Sequence, residues 1–149
     1  MLLPLLLALW SSPAQPGAAE RGARQELREV KKEQRALGEV VEFYWRSMRW
    51  GELIPASGFL ADPGYQAEWL SSQTEGGATM KVQSYRILRV DIGPPLEDQD
   101  RLREATLVVQ IETLDVATQV LDKSTRTQTW YRLGSGWFIE PGQELGLAP

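Results

Sequence analysis

Residues 126–141 read Arg-Thr-Gln-Thr-Trp-Tyr-Arg-Leu-Gly-Ser-Gly-Trp-Phe-Ile-Glu-Pro. Two β-rich runs, Thr125–Leu133 and Trp137–Glu140, flank Gly134-Ser135-Gly136. Two glycines in three residues supply the positive φ that a tight hairpin needs. Trp130, Tyr131, Trp137 and Phe138 carry large apolar area for a core. The chain therefore ends in an aromatic hairpin that another element must cover. The covering element is expected upstream, in the long proline-free stretch Glu20 to Trp50.

In that stretch Leu27, Val30, Gln34, Leu37, Val41, Tyr44 and Met48 recur at spacings of three and four, which places them on one helix face. The helix changes character along its length. From Glu20 to Arg35 six basic and four acidic residues surround a narrow apolar seam. From Gly38 to Trp50 the apolar set widens with Val40, Phe43, Trp45 and Trp50. The first half reads as a charged helical arm, either solvated or partner-binding. Two heptads are too few to specify a coiled coil. The second half reads as a core helix, closed by Gly51.

Glu52–Leu60 holds Pro55 and Gly58 and allows a short helical turn. Asp62-Pro63 supplies an N-cap and a first-turn proline. A helix follows to about Gln73, burying Tyr65, Trp69 and Leu70, and Gly76-Gly77 stops it. The rest reads as strands. Lys81–Ile92 alternates through Val82, Leu88, Val90 and Ile92. Arg101–Leu114 alternates through Ala105, Leu107, Val109 and Ile111. Val120–Leu133 and Trp137–Glu140 complete the set. Short turns between successive strands favour an antiparallel meander. Helices first and strands after them give an α+β fold, with a long N-terminal helix and short helices on a curved antiparallel sheet of about four strands.

The third strand departs from its neighbours. Asp122, Ser124, Arg126 and Gln128 share one face; Lys123, Thr125, Thr127 and Thr129 share the other. Neither face is apolar before Trp130 and Tyr131. Either this is an edge strand, where polar residues discourage aggregation, or one face lines a polar pocket or a subunit interface.

Composition narrows the chemistry. The 149 residues suit one domain. Net charge is −4; the Glu20–Arg35 arm carries +2 and the remainder −6. An acidic body is a poor nucleic-acid surface, so no nucleic-acid partner is expected. The chain contains no cysteine and no histidine. Thiol nucleophiles, zinc–thiolate sites and the commonest general base are excluded. The acidic residues lack calcium-loop spacing. No metal, cofactor or catalytic residue is assigned.

Met1–Trp10 is an apolar run of signal-peptide length, followed by small residues at Ser12–Ala14 and Gly17–Ala19. It is too short to span a bilayer core of about 30 Å. No Lys or Arg precedes it. The expectation is export to the periplasm or the extracellular space, with membrane contact only through an uncleaved leader. The expected organisation is a leader over 1–19, the arm over 20–37, the domain over 38–141 and a tail over 142–149.

Three features resemble the nuclear transport factor 2-like superfamily, the cone-shaped α+β fold shared with ketosteroid isomerases. One is the helix end Val41-Glu42-Phe43-Tyr44-Trp45-Arg46-Ser47-Met48-Arg49-Trp50 with its Gly51-Glu52-Leu53 turn. The others are two short helices before the sheet, and the closing hairpin with Trp130 and Gly136-Trp137-Phe138-Ile139. The resemblance covers about Gly38–Pro141 and implies a cone. Enzymes of that superfamily place Asp, His or Tyr inside it. Here Tyr44, Tyr85, Asp91 and Asp122 are available, but no spacing brings a pair together. The resemblance and the missing catalytic types point to an exported, non-enzymatic interaction or assembly module, with a protein partner or a homodimer. Thr125, Thr127 and Thr129 are its candidate interface residues. The alternative is a cone that binds a small apolar ligand, lined by Tyr44, Met48, Trp69, Arg126 and Trp130. An isomerase- or cyclase-like enzyme is a third reading.

Overall fold

A computed structural model describes residues 17–75, 79–97 and 100–144. Residues 1–16 of the expected leader, the Gly76-Gly77 stop, the acidic loop at Asp98-Gln99 and the last five residues lie outside these, while Ala18 and Ala19 of the expected leader belong to the first helix. The element order is α1 (Ala18–Trp50), α2 (Leu53–Ser57), α3 (Pro63–Glu75), β1 (Met80–Pro95), β2 (Arg103–Asp115), β3 (Val120–Leu133) and β4 (Gly136–Ile139). The strands form one antiparallel sheet in the order β1-β2-β3-β4. The α+β meander expected from the sequence is thus present.

Helix α1 has 33 residues, which gives it a length of about 50 Å. Leu37, Val41, Tyr44, Trp45 and Met48 are buried along its C-terminal half, each contributing about 1.5–3 kcal/mol of transfer free energy. Gly51 ends the helix in the left-handed region (φ 71°), where its N–H and that of Glu52 reach the carbonyls of Met48 and Ser47. A side chain is strained at that φ. The backbone N–H of Tyr65 donates to Asp62 Oδ1 at 2.7 Å, confirming the N-cap of α3.

The helices cover one sheet face, here called the inner face. On β2 it carries Arg103, Ala105, Leu107, Val109, Ile111 and Thr113, all buried. The face alternates cleanly on β2 but not on β1. Register shifts at Val82/Ser84 and Ile87/Arg89 insert two bulges, and each bulge moves the inward set by one residue. Val82, Tyr85, Ile87, Val90 and Ile92 pair with inner-face residues of β2. Leu88, expected in the core, is 47% exposed. Trp50 also departs from expectation: it is the last residue of the helix and is 70% exposed.

The aromatic hairpin closes this core. Gly134 (φ 57°) with Ser135 forms the two-residue loop between Leu133 and Gly136. The Trp130 ring meets Tyr44 edge-on at 5.5 Å and Phe59 at 5.9 Å between centroids. Phe59 also touches Phe43 and Tyr44, and its carbonyl accepts the N–H of Ile139 at 2.9 Å. The segment between α2 and α3 is therefore pinned to β4.

The charged arm is fastened to the sheet. Arg103 and Arg132 stand opposite each other across β2 and β3. Like charges in that position repel. Arg103 reaches Glu26 at 3.0 Å and the carbonyl of Gly93 at 2.9 Å, while Arg132 pairs with Glu33, which is buried. Gln34 Nε2 donates to the Val90 carbonyl at 2.9 Å. Glu26 and Glu33 are seven residues apart, two helical turns, so one face of α1 delivers both carboxylates.

Candidate functional site: the open edge of the third strand

Strand β3 spans 14 residues, but β4 pairs only with Trp130–Leu133. Among the described residues no strand pairs with the remainder of that edge. The direction of each backbone group follows from the ladder. Thr129 accepts the N–H of Glu140 through its carbonyl (2.9 Å), and its own N–H donates to Gln143 Oε1. Both groups of Thr129 thus point away from β2. The β2–β3 register runs without a shift from Arg103↔Arg132 to Asp115↔Val120. Alternate residues therefore point the same way: Thr127, Thr125, Lys123 and Leu121 direct N–H and C=O outward. Val120, Asp122, Ser124, Arg126 and Gln128 direct theirs to β2.

Side chains sort by the same alternation. Lys123, Thr125, Thr127 and Thr129 lie on the outer sheet face; Thr125 and Thr127 are exposed and Thr129 is half-buried. Across from them on β2 stand Glu112, Gln110, Val108 and Thr106. Asp122, Ser124 and Arg126 extend the inner face past Trp130, with Asp122 and Arg126 exposed. Val120 and Leu121, at the start of the free edge, are 57% and 60% exposed.

The edge ends where the C-terminal segment begins. Gln128 Nε2 donates to the Gln143 carbonyl at 3.1 Å, and Trp130 Nε1 donates to Gln128 Oε1 at 3.3 Å. Tyr65 donates to Glu144. Residues 142–144, expected to belong to a tail, thus continue beside β3 and cover Gln128 and Thr129. A groove of about 360 Å³ adjoins this point on the outer face, lined by Asp91, Gly93, Pro94, Glu104, Thr106 and Thr129 among others.

Next to it Arg101 stacks over the Tyr131 ring at 3.8 Å and holds Glu140 at 2.6 and 3.1 Å. Hydrogen bonding to Glu140 raises the Arg101 guanidinium above its ordinary pKa. Burial raises the Tyr131 phenol.

The five residues named as ligand candidates are placed differently from one another. Tyr44, Met48, Trp69 and Trp130 belong to the buried core cluster, with Tyr44 and Trp130 in ring contact. Trp69 and Met48 also border separate surface clefts. Arg126 stands apart, exposed on β3. Nor do Tyr44, Tyr85, Asp91 and Asp122 converge. Tyr44 is in the core, Tyr85 donates to Glu42 at 2.8 Å, Asp91 pairs with Arg89 at 2.6 Å, and Asp122 lies on β3. Sequence reasoning missed Phe59, Arg103 and Arg132. Phe59 sits in a proline- and glycine-punctuated segment, and the arginines acquire their roles only through long-range pairing.

Among the described residues no cluster of three or more His, Cys, Asp or Glu could hold a metal ion, and no helix is long and apolar enough to cross a membrane. Compared with known proteins, the chain matches no family model, no curated protein and no solved structure.

Proposed function

We propose that this chain is a non-enzymatic interaction module that docks a protein partner by adding a strand to the free edge of β3. One observation carries this reading. The outward N–H and C=O groups of Leu121, Lys123, Thr125 and Thr127 meet no strand among the described residues, on an edge without proline or bulge. Such an edge is a template for strand addition, with main-chain hydrogen bonds supplying affinity and alternate side chains supplying specificity. The other edge, β1, is interrupted by three register shifts, at Val82/Ser84, Ile87/Arg89 and Ile92/Pro95, a common guard against pairing. The aromatics of the ligand reading are engaged in core contacts, which favours surface docking over a lined cavity.

In this reading the module acts outside the cytoplasm, in the cell envelope, after export by the apolar leader. The helices and sheet form a nuclear transport factor 2-like cone. The leader composition and the resemblance of residues 38–141 support these two parts.

Thr125→Pro tests the docking. Proline at Thr125 removes an outward N–H and leaves the β2 ladder intact. In affinity capture from the source cells, wild type retains partners that the variant loses at unchanged fold. Equal recovery by both overturns the docking reading. A reporter active only outside the cytoplasm, fused after the leader, gives signal if export is correct and none if it is not.

A further inference from the structure

We infer that the strand added to β3 is β3 of a second copy, paired antiparallel about a two-fold axis through Ser124. The inference rests on the docking reading above and names its partner. It follows from parity and charge. Only residues with outward backbone groups, the odd-numbered ones here, can exchange hydrogen bonds across the new seam. Self-pairing must therefore match odd with odd and even with even. Registers that differ by one residue are excluded.

Charge selects among the remainder. With Ser124 opposite its own copy, Asp122 faces the partner's Arg126 and Arg126 faces the partner's Asp122. These are non-hydrogen-bonded positions, where opposed side chains approach most closely. A shift of two residues one way sets Lys123 against its own copy. The same shift the other way leaves Asp122 and Arg126 facing uncharged residues. A shift of four sets Asp122 against Asp122 or Arg126 against Arg126. A single register thus forms two ion pairs and no like-charge contact.

The hydrogen-bonded positions are then Lys123 with the partner's Thr125 and Leu121 with the partner's Thr127. Each pair occurs twice, giving about eight main-chain hydrogen bonds. The paired segment runs from Val120 to Gln128 and stops where Gln143 covers Thr129. Leu121 and Val120, the exposed apolar residues of the edge, gain cover from Thr127 and Gln128 of the second copy. The contact is isologous and closes at two copies, which forestalls open-ended growth. The polar run of β3 thereby specifies one register of self-association.

The test uses this 149-residue chain, which contains no cysteine. Ser124→Cys places two thiols directly opposite at a Cα separation of about 4.5 Å, within disulfide reach. In a glutathione redox buffer this variant forms a covalent dimer, and Ser135→Cys, on the distant hairpin loop, does not. Sedimentation equilibrium of the cysteine-free chain gives a dimer. Asp122→Arg and Arg126→Asp each weaken it at least about tenfold, because two like-charge contacts replace two ion pairs. The double swap restores the dimer to within a few-fold. A monomer at about 100 µM, or a dimer indifferent to both reversals, overturns the inference. If the chain stays monomeric while Thr125→Pro still abolishes capture of another protein, self-pairing fails and strand docking survives. If Thr125→Pro changes neither association nor capture, both fail.

Discussion

Replacing Glu33 by alanine probes how the long helix is fastened to the sheet. Arg132 lies directly opposite Arg103 across β2 and β3. Arg132 is neutralised by Glu33, whose side chain is 11% exposed, and Arg103 by Glu26, whose side chain is 50% exposed. The Nε of Arg132 is also buried with no hydrogen-bond partner among the described residues. Removing Glu33 leaves a largely desolvated guanidinium facing a second one. Breaking such a pair from one side costs about 3–5 kcal/mol. The 26% exposure of the Arg132 side chain lets water screen part of this, so the expected loss is about 3 kcal/mol. For a chain of this size that corresponds to a fall in Tm of about 10 °C. Glu26→Ala is the internal comparison. Its carboxylate is half solvated, but its loss leaves Arg103, whose side chain is 7% exposed, with only the Gly93 carbonyl, so the expected loss is about 1–3 kcal/mol. Urea unfolding followed by tryptophan fluorescence measures both, and Glu33→Leu with Arg132→Met recovers most of the stability by removing both charges. If neither Glu33→Ala nor Glu26→Ala costs more than about 0.5 kcal/mol, the two glutamates do not hold the helix as described.

Other outcomes follow from the same packing. Trp130→Ala, which empties the junction of Tyr44, Phe59 and the hairpin, costs about 3–5 kcal/mol by urea titration; a loss under about 1 kcal/mol would show that Trp130 is not the keystone of the core. Proline scanning of β3, at a concentration where the chain is monomeric, reads the strand's parity: Thr125→Pro changes stability by less than about 0.5 kcal/mol, whereas Ser124→Pro, which deletes an N–H bonded to β2, costs about 3 kcal/mol or more. Equal costs would contradict the assigned direction of the edge. Alkaline titration tests the tyrosines. Hydrogen bonding to Glu144 raises the Tyr65 phenol, and burial raises Tyr85 and Tyr131. A pKa raised in the folded state gives stability that is complete below the unfolded value of about 10 and lost as pH rises through the folded value. Unfolding free energy therefore holds steady to about pH 10 and falls above it. Tyr85→Phe shallows the fall, and an unchanged slope would remove Tyr85 from the account.

Periodicity made much of the fold legible. The seam from Leu37 to Met48, the cap at Asp62 and the alternation from Ala105 to Ile111 each follow local rules, and the structure obeys them. The failures share a cause: information that is not local. Two bulges in β1 exchange Leu88 for Tyr85 and Ile87, and a parity rule cannot see an inserted residue. Trp50 counts among the apolar helix residues in sequence, but it is 70% exposed at the helix end. Glu26 and Glu33 look like solvated charges until Arg103 and Arg132 arrive from more than seventy positions away. The polar run of β3 was visible in sequence as an anomaly; that Asp122 and Arg126 share the inner face beside an unpaired edge required the register.

Residue-resolved amide hydrogen exchange at two protein concentrations tests the central claim most directly. At low concentration the outward amides of Leu121, Lys123, Thr125 and Thr127 exchange freely, while those of Asp122, Ser124, Arg126 and Gln128 are protected by β2. At high concentration the odd-numbered set becomes protected as well, and the even-numbered set is unchanged. Protection of the odd-numbered amides at every concentration would mean that the edge is already covered within the chain. Free exchange at every concentration would mean that a second copy does not cover it.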